Sequence, residues 1–218
     1  MKFLFAFFLS FSSLICFGQL KIDVKTGVYQ SKQFHDIYGI VKIETDPVES
    51  FITSIGGRYP IFKNSYMGLD LFYFKGGGKV PPPYNEATTR FSQVSIAPLL
   101  GYEFKVWKLF IPLEIGLNIG RNFGGKLIKE HPLGHLVITP FQFNFGHKSY
   151  EYSLLSKVSI GYEFENIKNL KIHLTYINLR GLSNFSEFRN DKAESYTVTN
   201  AGSGVLLGLS YCMFKQKN

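Results

Sequence analysis

Cysteine is almost missing from this 218-residue chain: Cys16 and Cys212 are the only two. Cys16 sits in an apolar leader, so the exported form keeps Cys212 alone and forms no internal disulfide. Small exported domains often depend on disulfides. This one must be stable by other means, and a closed, hydrogen-bonded barrel is one. Tryptophan occurs once, and helix formers never group into long 3.6-period stretches, which argues against a helical bundle. The apolar leader Phe3 to Phe17 carries no charge and is interrupted only by Ser10, Ser12 and Ser13. It is short for the ~20 residues of a membrane-spanning helix. With Met1-Lys2 before it and Gly18-Gln19 after it, it has the basic start, short greasy stretch and small residue of a secretory signal. We divide the chain into a signal peptide, 1–18, and a mature β-barrel domain, 19–218. Lipid attachment at Cys16 is disfavoured, because that processing needs a small residue before the cysteine and Ile15 stands there.

A strong charge of one sign is lacking too. Lys+Arg number 24 against 16 Asp+Glu, a net +8 that falls to +7 when Lys2 leaves with the leader. The bases are scattered and the chain is exported, so no nucleic-acid partner is expected. What is plentiful is aromatic: 22 Phe and 13 Tyr, among Gly, Pro and Asn punctuation. That composition reads as β-structure.

The decisive pattern is a two-residue alternation. A strand of a membrane barrel points alternate side chains at lipid and at the lumen. In 109–120, Leu109, Ile111, Leu113, Ile115, Leu117 and Ile119 share one parity; Phe110, Pro112, Glu114, Gly116, Asn118 and Gly120 share the other. A helix would not gather that set on one side. The C-terminal segment repeats it, with Val205, Leu207, Leu209, Tyr211 and Met213 against Gly204, Gly208, Ser210 and Cys212, Leu206 being an exception. Segments 154–164, 169–179, 92–104, 66–75 and 51–62 follow the rule, and 20–30 follows it more weakly. Aromatics on the lipid parity near strand ends, Tyr73, Tyr102, Phe104, Tyr162 and Tyr176 among them, suit interfacial girdles.

Three short connections (63–65, 105–108, 165–168) alternate strictly with four long ones (31–50, 76–90, 121–152, 181–200). This is the rhythm of short periplasmic turns and long external loops. His135 to Gly146 and Asp36 to Thr45 are further strand candidates; counting both gives ten strands and breaks the alternation. We read eight strands, with these two segments as β extensions above the membrane. The fold class is therefore an all-β, antiparallel, up-and-down transmembrane β-barrel of about eight strands, ten being the alternative. Alternation alone does not tell inside from outside, and the inverse assignment is a soluble barrel of lipocalin type. The glycine and charge content of the second parity favours the membrane.

The chain resembles the small outer-membrane barrels of the outer-membrane protein A and X type over roughly 20–214. Gly208, Tyr211 and Met213 resemble the signal read by the barrel-assembly machinery; the tail Lys215-Gln216-Lys217-Asn218 departs from it. The resemblance implies the outer membrane of a Gram-negative-type bacterium. It also implies outer-membrane lipid and the assembly machinery as partners. It implies location more than activity, since such barrels, porin-like or not, serve many roles. No appended peptidoglycan-binding domain is expected, because the chain stops with its last strand.

By parity the lumen holds Asp23, Lys25, Arg58, Asp70, Glu103, Glu114, Lys157, Glu163, Lys171 and His173. Buried charges persist only when paired, so we expect a salt-bridged plug, the functional alternative being a proton or ion path. Basic residues Lys63, Lys105, Lys108, Lys168, Lys215 and Lys217 collect at the short-turn rim; they either reach inner-leaflet phosphates or simply keep turns soluble.

Catalytic and metal chemistry is thin. His131, His135 and His147 lack a common helical face and a cysteine or close carboxylate partner, so no metal or cofactor is expected. His147, Ser149 and Glu151 have the residue types of a hydrolase triad but fall in an expected loop. Outer-membrane lipid A deacylases carry His-x-Ser-Asn on a late strand; the similar stretch 176–182 has Tyr176 and Asn178 where His and Ser would stand, and acyl transfer then has no nucleophile. Gly76-Gly77-Gly78 with Pro81-Pro82-Pro83 reads as a loop tip, where Tyr84 and Phe91 are contact candidates, and not as a phosphate loop. The expectation is a non-enzymatic barrel presenting four external loops, 76–90 and 121–152 foremost, to an envelope or protein partner. A narrow channel for a small or apolar solute and a lipid-modifying enzyme are the alternatives.

Overall fold

The structure, a computed structural model, describes residues 20–82, 87–130, 136–141, 148–164, 167, 169–189 and 195–213. The signal peptide 1–18, the histidines His131, His135 and His147, Tyr84, Lys168 and the lysines Lys215 and Lys217 lie outside the described residues.

Among the described residues eleven strands follow in order: β1 (Lys21–Ile37), β2 (Val41–Glu44), β3 (Val48–Phe62), β4 (Ser65–Val80), β5 (Ala87–Val106), β6 (Leu109–Glu130), β7 (Leu136–Phe141), β8 (Tyr150–Glu163), β9 (Leu170–Gly181), β10 (Ser186–Arg189) and β11 (Ser195–Cys212). Eight of them, β1, β3, β4, β5, β6, β8, β9 and β11, form an antiparallel ring in chain order. The ring is closed by β11 on β1, from Lys21↔Cys212 to Ile37↔Tyr196. Closure leaves the ring no open edge, the condition for backbone polar groups in hydrocarbon. Two turns at one end are only two residues long, Lys63-Asn64 and Trp107-Lys108, and both open with a residue at positive φ. Such turns follow the twist of the flanking strands.

Side chains divide by parity as the alternation requires. Ile115 is 56% exposed and Leu207 55%, while Lys157 and Arg58 on the inner parity are 2% and 4% exposed. Exposed Val, Leu, Ile and Met continue around all eight strands, a far larger apolar surface than a soluble monomer displays. The inverse, lipocalin-like assignment is thereby overturned: the apolar parity faces out, and the barrel is a transmembrane one. Tyr102 with Phe104, and Tyr162 with Phe164, pack edge to face near the short-turn end, as a girdle does.

The strands run further than the sequence pattern suggests. Much of 31–50, 76–90, 121–152 and 181–200, expected as loop, continues the ladders: β1 reaches Ile37, β4 Val80, β6 Glu130, and β11 begins at Ser195. Above the apolar belt neither face meets lipid, so the alternation fades while backbone pairing persists. The extension segments take the expected form. β2 pairs β1, and β7 pairs β6 over Gly125↔Phe141 to Glu130↔Leu136. The short β10 on β11 has no sequence signal of its own.

Candidate functional site in the lumen

All ten residues expected inside point into the barrel; nine are buried, and Glu163 is partly exposed at the short-turn mouth. The structure brings six of them into one cluster near mid-barrel. The Arg58 guanidinium donates from Nη1 to Asp70 at 2.5 Å and from Nη2 to the second Asp70 oxygen at 3.1 Å. Its Nε donates to Glu114, and Asp23 lies 3.5 Å from Nη2. Lys157 donates to Asp70 at 2.6 Å and also meets Glu114. Lys25 donates to Asp23 at 3.1 Å, and the Tyr66 hydroxyl donates to Glu114 at 3.1 Å. Three cations thus face three carboxylates, and one group serves several partners. Gly56 makes the close fit achievable, because a Cβ there would overlap the Asp70 carboxylate and crowd Arg58.

Outward from that cluster, toward the long-hairpin end, the lumen turns apolar. Phe72, Phe74, Ile52, Leu99, Leu155, Ile177 and Leu206 form one buried group with Tyr29. Leu206, the exception to the alternation, belongs here. Next comes a layer of neutral amides around one acid. Gln93, Asn122 and Asn200 each donate to the same Glu151 oxygen, at 3.2, 3.3 and 2.9 Å, and Gln33 donates to Asn200 at 3.0 Å. Phe91 stacks on Phe185 with ring centroids 4.8 Å apart, roofing this layer together with Val198. The space left beside Glu151 is about 10 Å³, near the limit for one water. Higher still, outside the belt, His35 Nδ1 and the Tyr196 hydroxyl share a hydrogen bond. Burial lowers the His35 pKa and raises that of Tyr196.

Toward the short turns the lumen opens instead. A cup of about 240 Å³ runs from Arg58, Glu114 and Tyr66 to the mouth at Lys63, Asn64 and Asn169. On its wall the Ser210 hydroxyl meets His173 Nε2 at 2.9 Å; His173 Nδ1 meets the Thr175 hydroxyl at 3.1 Å, and Thr175 meets Ser159 at 2.8 Å. Ser210 and His173 have the residue types of a nucleophile and a base. The orienting group on Nδ1 is a hydroxyl, however, which stabilises an imidazolium far less than a carboxylate does. At the mouth, Glu103 is 2.9 Å from Lys21 and 3.6 Å from both Lys105 and Lys171. Among the rim lysines, Lys63 lies over the Phe62 ring and Lys108 over the Trp107 ring.

The sequence pattern puts Ser210, Gln93 and Phe72 on the inner parity without giving them a role; it misses Lys21, Glu151, Asn122, Asn200 and the rest of the apolar layer. Glu151 was expected in a loop beside Ser149; it is the second residue of β8, buried and pointing inward. Tyr176, at the position of the deacylase histidine, faces outward. Among the described residues no group of three or more His, Cys, Asp or Glu is arranged to hold a metal ion.

No family model matches the sequence, and no curated protein matches it. Solved structures do match. The outer membrane protein OprG from Pseudomonas aeruginosa aligns with a TM-score of 0.54 at 10% identity, covering 89% of this chain and 97% of that one. The Escherichia coli outer membrane protease OmpT aligns at 0.47 and Neisserial surface protein A at 0.46, each at 10% identity and with the same coverage. The OprG likeness shows the fold: a closed antiparallel eight-strand barrel of the small outer-membrane type.

Proposed function

We propose that this protein is a non-enzymatic outer-membrane barrel whose lumen is a structural plug and whose long-hairpin end meets an envelope or extracellular partner. One observation carries the reading: the apolar layer of Phe72, Leu155, Ile177 and Leu206 lies between the charge cluster and the Glu151 layer. Water and ions crossing the barrel would have to shed their hydration to pass a packed stratum that is mainly apolar, with only the small hydroxyls of Ser54 and Ser95 and the Asn118 amide among its polar groups. The apolar outer belt and the outer-membrane setting of OprG support the location. The hairpin ends support a contact role. The β1–β2 turn exposes Tyr38, Ile40 and Val41, and β7 exposes Leu136, Val137 and Ile138. Apolar groups in such number at a loop tip suit contact with protein or lipid.

The test is single-channel recording in planar bilayers, on protein shown by its gel shift on boiling to be folded. Silence from the folded barrel is expected. Steady conductance steps would replace the plug with a channel. Labelling of Ser210 by a fluorophosphonate would instead make the Ser210–His173 pair an enzyme site.

A further inference from the structure

The two polar strata around the cup differ in charge balance. In the mid-barrel cluster Lys25, Arg58 and Lys157 match Asp23, Asp70 and Glu114 one for one. At the mouth, Lys21, Lys63, Lys105 and Lys171 share, among the described residues, only Glu103 and Glu163. Lys171 stands out among these. Its side chain is 6% exposed, its nearest carboxylate oxygens are 3.4 and 3.6 Å away, and its Nζ makes no hydrogen bond among the described residues. The Phe110 ring at 4.5 Å covers one side of the ammonium. A buried ammonium with three donors and no hydrogen-bond acceptor is costly, and this one lines an open cup.

We infer that the cup is a binding site for a small oxyanion, a phosphate or a carboxylate-bearing solute. The anion enters at the short-turn mouth and is held by Lys171 with Lys21 and Lys105. An oxyanion supplies the acceptors that Lys171 lacks and offsets the cationic excess of the mouth. Partial enclosure by the barrel wall strengthens each contact relative to water. Glu103 is the resident competitor, since it occupies the same three lysines. This inference rests on a blind lumen, which the conductance recording checks separately from binding.

The experiment is calorimetric titration of inorganic phosphate into the folded full-length mature barrel in zwitterionic detergent. One phosphate per barrel is expected. Lys171→Met should weaken it about tenfold or more, the loss of a charge-assisted hydrogen bond. Glu103→Gln should tighten it. Lys105 is more than half exposed, and Lys105→Gln should weaken binding less than Lys171→Met does. No binding, or binding unchanged by Lys171→Met in a barrel that still shifts on boiling, overturns the site. Should Lys171→Met not fold, Glu103→Gln decides: unchanged or weaker binding overturns it. Repeating the titration in nanodiscs identifies the source. Competition from added phosphatidylglycerol assigns the cup to a lipid headgroup, and undiminished phosphate binding assigns it to a soluble anion.

Discussion

The two halves of the lumen bury carboxylates by opposite means. Near mid-barrel, Asp70 and Glu114 are neutralised by the fixed charges of Arg58 and Lys157. In the outer half, Glu151 meets Gln93, Asn122 and Asn200, neutral dipoles converging on one oxygen. The first arrangement depends on charge: remove one member and its partners remain as bare ions in a low dielectric. The second depends on geometry: three donors aimed at a point accept a charged or a neutral oxygen there. The stratum between them is mainly apolar, with Ser54 and Ser95 buried in it without hydrogen-bond partners among the described residues, and Asn118 reaches only the upper network through Gln93.

The largest effect should come from breaking the charge balance. Asp70→Asn keeps the shape but leaves Arg58 and Lys157 with too little negative charge. Breaking a buried pair in this way costs about 3–5 kcal/mol. Urea unfolding of the barrel in lipid vesicles should show that loss; a cost below about 1 kcal/mol, the size of an exposed pair, would mean that water screens the cluster. Next is the separating layer. Leu155→Ala removes a fully buried side chain and should cost about 2–5 kcal/mol. If the layer is what blocks conduction, the same variant should also give the otherwise silent folded barrel measurable conductance; a destabilised but silent variant would place the block in the polar networks.

The sharpest contrast is Glu151→Gln. Its amide oxygen accepts the same three hydrogen bonds, and losing the charge relieves desolvation. The change should lie within about 1 kcal/mol, the difference between hydrogen bonds to charged and to neutral groups. Glu151→Leu removes the shared acceptor; Gln93 still donates to Asn122 and Asn122 to the Lys148 carbonyl, but the buried Asn200 amide loses its acceptor, and the change should cost about 1–3 kcal/mol. A Glu151→Gln cost as large as that of Asp70→Asn would erase the distinction between the halves.

How much of this was legible follows from the same physics. The belt and the charge cluster could be read because lipid tolerates only one kind of residue and the lumen parity concentrates charge: Leu113–Glu114–Ile115 shows both sides of the wall in three letters. The upper network could not be read. Asn122 and Asn200 fall in the expected loops 121–152 and 181–200, where no enforced apolar parity marks a strand, so Glu151 looks like a loop acid although Gln93 stands on the inner parity of 92–104. Leu155, Ile177 and Leu206 were hidden for a related reason: apolar residues on the inner parity look like breaks in an alternation until all eight strands are placed together. The cup was hidden as well, since Lys21 and Lys171 lie 150 positions apart and meet only through Glu103 when β1, β5 and β9 close into a ring.

The smallest effect lies beyond both halves, at the extended hairpins. His35 is partly exposed, hydrogen-bonds Tyr196 through Nδ1, and leaves Nε2 buried without a partner. Burial lowers its pKa below the ordinary 6.5. With the folded value depressed, the unfolded hairpin takes up the proton first, so the hairpin is most stable while both forms are neutral, above 6.5. That stability falls as the pH drops through 6.5 toward the lower folded value. Amide hydrogen exchange across the β1–β2 pairing, Phe34↔Glu44 to Ile37↔Val41, should therefore quicken between pH 7.5 and 5 once corrected for intrinsic rates, while that of mid-barrel amides stays flat. His35→Gln should remove the dependence. If mid-barrel exchange moves in step with the hairpin, the outer extension and the membrane barrel open as one unit, and the layers of the lumen are coupled despite the mainly apolar stratum between them.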